Sequence, residues 1–267
     1  MFTLYRDNFG PQNAQSIVWL HGFLGNGADW IPFSSQIEGF HHVIVDLPGH
    51  GKSLLPPTRG EAGFEETVSA LAELIQTECS KPPVVVAYSM GGRLALALAS
   101  KHPSAFAGLV IVSASPGLAD SHERENRQRW DHDLGKKLRE TPRMEFLDAW
   151  YDQELFKTLS KQPDLLETLK NSRLNIDLQS VSESLAYTGA GVMPYIGDRI
   201  HDLEVPLMYV TGSEDRKYAK IGRELTTGKG NIQLEIFSEA SHAAHIEKPL
   251  EFIKVLRTFL KTIQGGL

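Results

Sequence analysis

Residue types capable of chemistry gather in three short segments of the chain. The first is Val84-Val85-Val86-Ala87-Tyr88-Ser89-Met90-Gly91-Gly92-Arg93, a β-branched run that ends at a serine and passes directly into small, helix-compatible residues. Such a run predicts a strand turning sharply into a helix, with the Ser89 hydroxyl projecting from the turn. Small residues two positions to either side, Ala87 and Gly91, suit the crowding of the two backbones there. The second segment, Val210-Thr211-Gly212-Ser213-Glu214-Asp215, ends a strand-like run on two carboxylates. The third, Ser238-Glu239-Ala240-Ser241-His242-Ala243-Ala244-His245, carries two imidazoles. A serine hydroxyl is inert until an imidazole takes its proton, and the imidazole needs a carboxylate to hold its tautomer. A Gly-x-x-Asp loop presents its last carboxylate, which favours Asp215 over Glu214. Spacing alone does not separate His242 from His245.

These groups meet only if the intervening chain folds back repeatedly, and its patterning alternates accordingly. Apolar runs at 16–20, 42–46, 83–87 and 108–112 end in glycine, proline or serine punctuation, and others follow at 206–210 and 232–237. Runs this apolar predict strands buried on both faces of a parallel sheet. Helical patterns fall between them, at 64–75 with Val68, Leu71, Ala72 and Ile75 on one face, and at 93–99. The alternation implies a doubly wound α/β sheet. From Pro116 to about Asp198 the chain turns charged and helical, over 123–139, 144–159 and 164–173. The expected organisation is a core of residues 1–115 and 199–267 with a helical lid, 116–198, inserted between two parts of one sheet. Strand, elbow and the order serine, acid, histidine together match the α/β-hydrolase fold. In that fold the loop Leu20-His21-Gly22-Phe23-Leu24-Gly25 supplies one oxyanion-hole N–H and the residue after the serine another, so Phe23 and Met90 are the expected donors.

Other classes of function fit poorly. Lys and Arg number 27 against 33 Asp and Glu, a net charge of −6, whereas nucleic-acid and anionic-membrane binders need a cationic face. The single cysteine, Cys79, excludes a disulfide framework within the chain, and it reads as a helix-end thiol. The segment Asp46-Leu47-Pro48-Gly49-His50-Gly51-Lys52-Ser53 ends like a phosphate loop, but that motif's first glycine falls on Asp46. His50 is expected to be structural, and His21, His41 and His42 lack paired ligand spacing, so neither metal nor cofactor is expected. The N-terminus lacks the pattern of a secretion signal and no run is long enough to span a bilayer, which predicts a cytoplasmic protein, with a monomer favoured.

The chain resembles the 2-succinyl-6-hydroxy-2,4-cyclohexadiene-1-carboxylate (SHCHC) synthases of menaquinone biosynthesis along essentially its whole length. The likeness rests on His21-Gly22-Phe23-Leu24-Gly25 with Asp29-Trp30 behind it, on the 46–51 loop, and on Tyr88-Ser89-Met90-Gly91-Gly92-Arg93. It continues through Ser115-Pro116-Gly117-Leu118, a helix bearing Glu123, Arg127 and Asp131, then Trp150-Tyr151-Asp152-Gln153-Glu154-Leu155-Phe156, and closes with 242–249. Three positions depart from the family pattern: Ala87 and Ser241 stand for glycine, and Glu154 for proline.

The resemblance implies His242 as the catalytic imidazole and a reaction unlike hydrolysis. Proton removal alpha to a ketone makes a dienolate, which expels pyruvate from an enolpyruvyl-bearing ring. Ser89, activated by His242 and Asp215, would be the base. Such a substrate carries three carboxylates, for which Arg93 and Arg127 are the expected guanidinium forks. Spacing alone would instead read Glu123, Arg127 and Asp131 as a surface salt-bridge ladder; for Arg93 a place on the helix surface is the lesser alternative. Tyr88, Trp150 and Tyr151 resemble substrate-contact positions. The alternative on the same triad is a small-molecule carboxylesterase, thioesterase or carbon–carbon hydrolase.

Overall fold

The computed structural model describes residues 2–200 and 202–265. Seven strands form one sheet: β1 (Arg6–Phe9), β2 (Ser16–Leu20), β3 (His41–Val45), β4 (Val84–Tyr88), β5 (Gly108–Val112), β6 (Leu207–Gly212) and β7 (Ile232–Phe237). Their order is β1-β3-β2-β4-β5-β6-β7, with every pairing parallel except that of β1 with β3. The apolar runs are strands because alternate side chains feed two cores. Val18, Val43, Val85, Leu109 and Tyr209 enter one cluster. Trp19, Ile44, Val86, Val110 and Met208 enter the other. Exposed, polar β1 escaped the sequence reading because it is a four-residue edge strand with no apolar alternation.

Helices cover both faces. On the first lie α1 (Gly60–Glu78) and α2 (Met90–Lys101), through side chains such as Phe64, Val68, Leu71 and Leu94. Cys79 caps α1 at its C-terminus, as expected. Between β5 and β6 the chain makes α3 (Ser121–Glu140), α4 (Arg143–Tyr151), α5 (Pro163–Ser172) and α6 (Leu178–Thr188). Leu134, Leu138, Phe146, Leu147, Val181 and Leu185 of this insertion build a third apolar cluster that reaches Leu24 of the core. After β6 comes α7 (Arg216–Thr226), and α8 (Pro249–Gly265) closes the second face with Phe252, Leu256, Phe259 and Leu260.

The helix expected over 144–159 is broken. It stops at Tyr151, and tight turns follow at Glu154–Phe156 and Leu159–Lys161. One local and one tertiary contact mark the break: the Gln153 side-chain Nε2 donates to Trp150 O at 2.8 Å, and the carbonyl of Leu155 is taken by the amide of His242 at 3.2 Å. Backbone groups committed elsewhere cannot continue an α-helical ladder.

Parallel pairing brings the carboxyl ends of β2, β4, β5 and β6 to one edge, where Leu20 pairs with Ala87, Tyr88 with Val112, and Val112 with Val210. Loops leaving that edge are where an open α/β sheet places ligands.

Candidate active site

Ser89 sits on the turn between β4 and α2 with φ 48° and ψ −103°, a backbone conformation that a non-glycine residue holds only under constraint. Its amide donates to Val112 O at 2.9 Å, and the Gly91 amide to His21 O at 3.1 Å. A Cβ at Gly91 would lie 2.6 Å from Leu20 O and 2.7 Å from His21 O, so α2 packs against the end of β2 at a distance only glycine permits. Ala87, by contrast, is fully buried in the first core, and its methyl is accommodated there.

Three loops converge on that serine. Asp215 caps the N-terminus of α7, its Oδ1 accepting the Tyr218 amide at 3.3 Å while Oδ2 lies 2.7 Å from His242 Nδ1. His242 Nε2 lies 2.9 Å from Ser89 Oγ. A carboxylate only accepts, so Nδ1 carries the proton and Nε2 is left to receive the serine's. The Tyr218 ring packs 4.6 Å from the imidazole. Glu214 points outward, 3.7 Å from Lys157. His245, the other imidazole of the segment, is a buried ring 4.8 Å from Trp30 and 4.6 Å from Tyr88, away from the serine. Burial, helped by nearby His242, pushes its pKa down to about 3, so it stays neutral.

The expected oxyanion loop lies against the elbow, since a Cβ at Gly22 would be 2.6 Å from the Tyr88 ring and 3.6 Å from Ser89 Cβ. Leu24, at φ 64°, donates its amide to His50 Nε2 at 3.3 Å. His50 Nδ1 in turn donates to Pro48 O at 2.9 Å, and His21 Nε2 accepts the Leu47 amide at 2.9 Å. Only neutral rings can accept these amides, and burial, reinforced by His21, holds His50 at about 3. The sequence expectation for His50, a structural residue, matches. Among the described residues, neither the Phe23 amide nor that of Met90, first residue of α2, donates to a protein acceptor. Such an N-terminal amide also carries the positive end of the helix dipole.

A cavity opens over Ser89, bounded by Phe23, Met90, Arg93, Arg127, Trp150 and Tyr218 among others. Arg93 is buried, not on a helix surface. One guanidinium nitrogen donates to Thr188 O, the C-terminal carbonyl of α6, at 2.6 Å, and Nε has no partner. Burial and the neighbouring Arg127 lower its pKa to about 10, so it remains a cation in want of an anion. Arg127 bonds Asp131 at 2.8 Å and lies over the Trp130 ring at 4.6 Å. The ladder therefore has one rung; among the described residues Glu123 makes no ion pair within it. Tyr88 and Trp150 line the cavity, but Tyr151 does not. It lines a second space behind Phe23, Tyr88 and Trp150, beside Arg173. Arg173 there grips Asp29 in bidentate fashion, at 2.7 and 2.8 Å.

Comparison with known proteins agrees with this fold. A sequence profile described as the alpha/beta hydrolase family matches residues 17–255. An SHCHC synthase of Serratia proteamaculans is 30% identical over 252 residues, which cover 94% of this chain and 95% of that protein. The chain belongs to the SHCHC synthase family. The chloroplastic protein PHYLLO of Arabidopsis thaliana is 34% identical over 96% of the chain, which spans only 16% of PHYLLO's length. The structure of MenH from S. aureus superposes with a TM-score of 0.88, covering 97% of this chain and 98% of that one at 24% identity, a likeness of fold.

Against the SHCHC synthase pattern, the three departures have local answers. Ala87 is absorbed by the core, while Ser241 gains hydrogen bonds to Glu247 and Thr158. Glu154 forms an ion pair with Lys157 at 2.6 Å. Sequence reasoning missed Tyr218 and the Asp29–Arg173 pair. The first was within reach, three residues past Asp215 on a helix with strong one-sided patterning. The second joins residues 144 apart in the chain and leaves no local signal. Among the described residues no group of three His, Cys, Asp or Glu side chains is placed to hold a metal ion, and no helix is long and apolar enough to cross a membrane.

Proposed function

We propose that this chain is a carbon–oxygen lyase that eliminates pyruvate from 2-succinyl-5-enolpyruvyl-6-hydroxy-3-cyclohexene-1-carboxylate, giving SHCHC in menaquinone biosynthesis, without a cofactor. The carrying observation is a hydrogen-bonded line, Ser89–His242–Asp215, beside a buried guanidinium whose Nε has no partner, that of Arg93. In this reading His242 takes the Ser89 proton as Ser89 takes the proton alpha to the succinyl ketone. The electrons of that C–H bond form the dienolate, and its collapse makes the second ring double bond and breaks the bond to the enolpyruvyl oxygen. The departing pyruvate enolate takes a proton back, by way of the imidazolium. The Phe23 and Met90 amides meet the enolate oxygen, where one such donor is worth about 2.7–4 kcal/mol. Arg93 receives a substrate carboxylate, with Arg127 beside it and Tyr88 and Trp150 as walls; residues 116–198 act as the lid. The cytoplasm is the proposed site of action.

The test is to generate the enolpyruvyl precursor enzymatically and follow pyruvate. Release well above the buffer rate is expected, and release at the buffer rate overturns the assignment. A burst from a p-nitrophenyl ester, with an acyl group trapped on Ser89, would instead favour the hydrolase reading.

A further inference from the structure

The turn that interrupts the expected 144–159 helix touches both loops that carry the catalytic acid and base. Leu155 O accepts the His242 amide at 3.2 Å. The Phe156 ring meets the His242 ring edge-on at 6.0 Å. Thr158 Oγ1 lies 2.6 Å from Ser241 Oγ and also reaches the Glu247 carboxylate. Lys157 bridges Glu154 and Glu214, the neighbour of Asp215. Of these, the buried contacts decide the matter. Exposed pairs such as Lys157–Glu214 contribute little, typically below about 1 kcal/mol, whereas Thr158, Ser241 and Glu247 are all buried. Glu247 accepts the Ser241 amide and the Ser241 hydroxyl, each at 2.9 Å. Thr158 has one proton to give, and every available acceptor in the cluster belongs to the histidine loop. The amides of Ser241 and His242, which flank the imidazole, thus rest on Glu247 and on the turn. The other side of the same turn faces the reaction cavity through Gln153, Leu155 and Phe156.

We infer that the turn 153–158 is a strap that holds His242 in line with Ser89, with Thr158 and Ser241 as positioning residues that join it to the histidine loop. Through it, the wall of the substrate cavity and the alignment of the base are one mechanical unit. The inference rests on the reading that Ser89, His242 and Asp215 do the chemistry, but not on which substrate they serve.

The experiment compares Thr158→Val, Thr158→Ser and Ser241→Ala in the full-length protein by two readouts. One is kcat and KM for pyruvate release. The other is the rate at which a fluorophosphonate labels Ser89, which depends on Ser89 and His242 without any substrate. Thr158→Val and Ser241→Ala should each lower both kcat and the labelling rate about tenfold, with KM unchanged, and Thr158→Ser should restore both. Unchanged rates, a rise in KM with kcat retained, or failure of Thr158→Ser to restore them would each overturn the strap. If Thr158→Val does not fold, Ser241→Ala carries the comparison. If the wild-type protein labels at Ser89 yet releases no pyruvate, the lyase reading fails while the labelling ratios still decide the strap.

Discussion

At the scale of single residues, the tautomer of His242 is the most consequential feature. With Nδ1 held by Asp215 at 2.7 Å, Nε2 is free to accept from Ser89. Asp215→Asn offers a donor as readily as an acceptor and permits the wrong tautomer. Its kcat should fall by about 10³–10⁴ with the fold retained, measured by pyruvate release and circular dichroism. Arg93 makes a second prediction. Its buried guanidinium keeps one hydrogen bond, to Thr188 O. Arg93→Ala should lower kcat/KM by about 10- to 100-fold, mainly through KM, and Arg93→Lys should recover little, because an ammonium lacks the fork. Unchanged kinetics in both variants would remove the carboxylate role and leave the triad standing. Ser89 and Asp215 were legible because the elbow and the acid loop carry their own geometry, and the loop motif likewise marked the 20–25 turn that lies against the elbow. His242 was separable from His245 only by resemblance, since both follow the same strand and both are buried; in the structure His242 bridges Asp215 and Ser89, while His245 stacks on Trp30.

At the scale of elements, the elbow depends on α2 docking against β2. Gly91→Ala places a methyl within 3 Å of two carbonyl oxygens. The variant should lose about 1–3 kcal/mol of stability by urea denaturation, or shift α2 and misplace Ser89. Full stability together with full activity would contradict the packing described here. The parallel strands were legible because burial on both faces writes itself as continuous apolar runs, and β2, β5 and β7 carry the expected bounds. The broken helix after Tyr151 was not, because nothing in 152–158 announces that a distant histidine loop will claim Leu155 O and Thr158. Tyr151, the last residue of α4, lines the adjoining space beside Arg173 and not the cavity over Ser89.

At the scale of the whole molecule, insertion and core are joined by contacts with no local signature, foremost the Asp29–Arg173 pair. Asp29→Ala leaves a buried cation unpaired and should cost about 3–5 kcal/mol, seen as a lower thermal midpoint. The core also holds two neutral histidines, His50 and His245, each pushed down to about 3 by burial. An unfolded chain binds their protons near pH 6.5. Their contribution is therefore complete above about pH 6.5 and is lost as pH falls towards 3, at up to about 1.4 kcal/mol per unit for each histidine. Between about pH 6.5 and 5 the urea midpoint should decline, and His245→Phe, which keeps the aromatic stack, should decline less steeply; equal slopes would contradict the assignment. The measurement that bears most directly on the whole account is pyruvate release followed together with intact protein mass, for wild type and Ser89→Ala. With Ser89 acting as the base, pyruvate should form at full rate with no mass added to the enzyme, and Ser89→Ala should be slower by about 10³ or more. A substrate-derived adduct accumulating on Ser89, or undiminished turnover in Ser89→Ala, would contradict it.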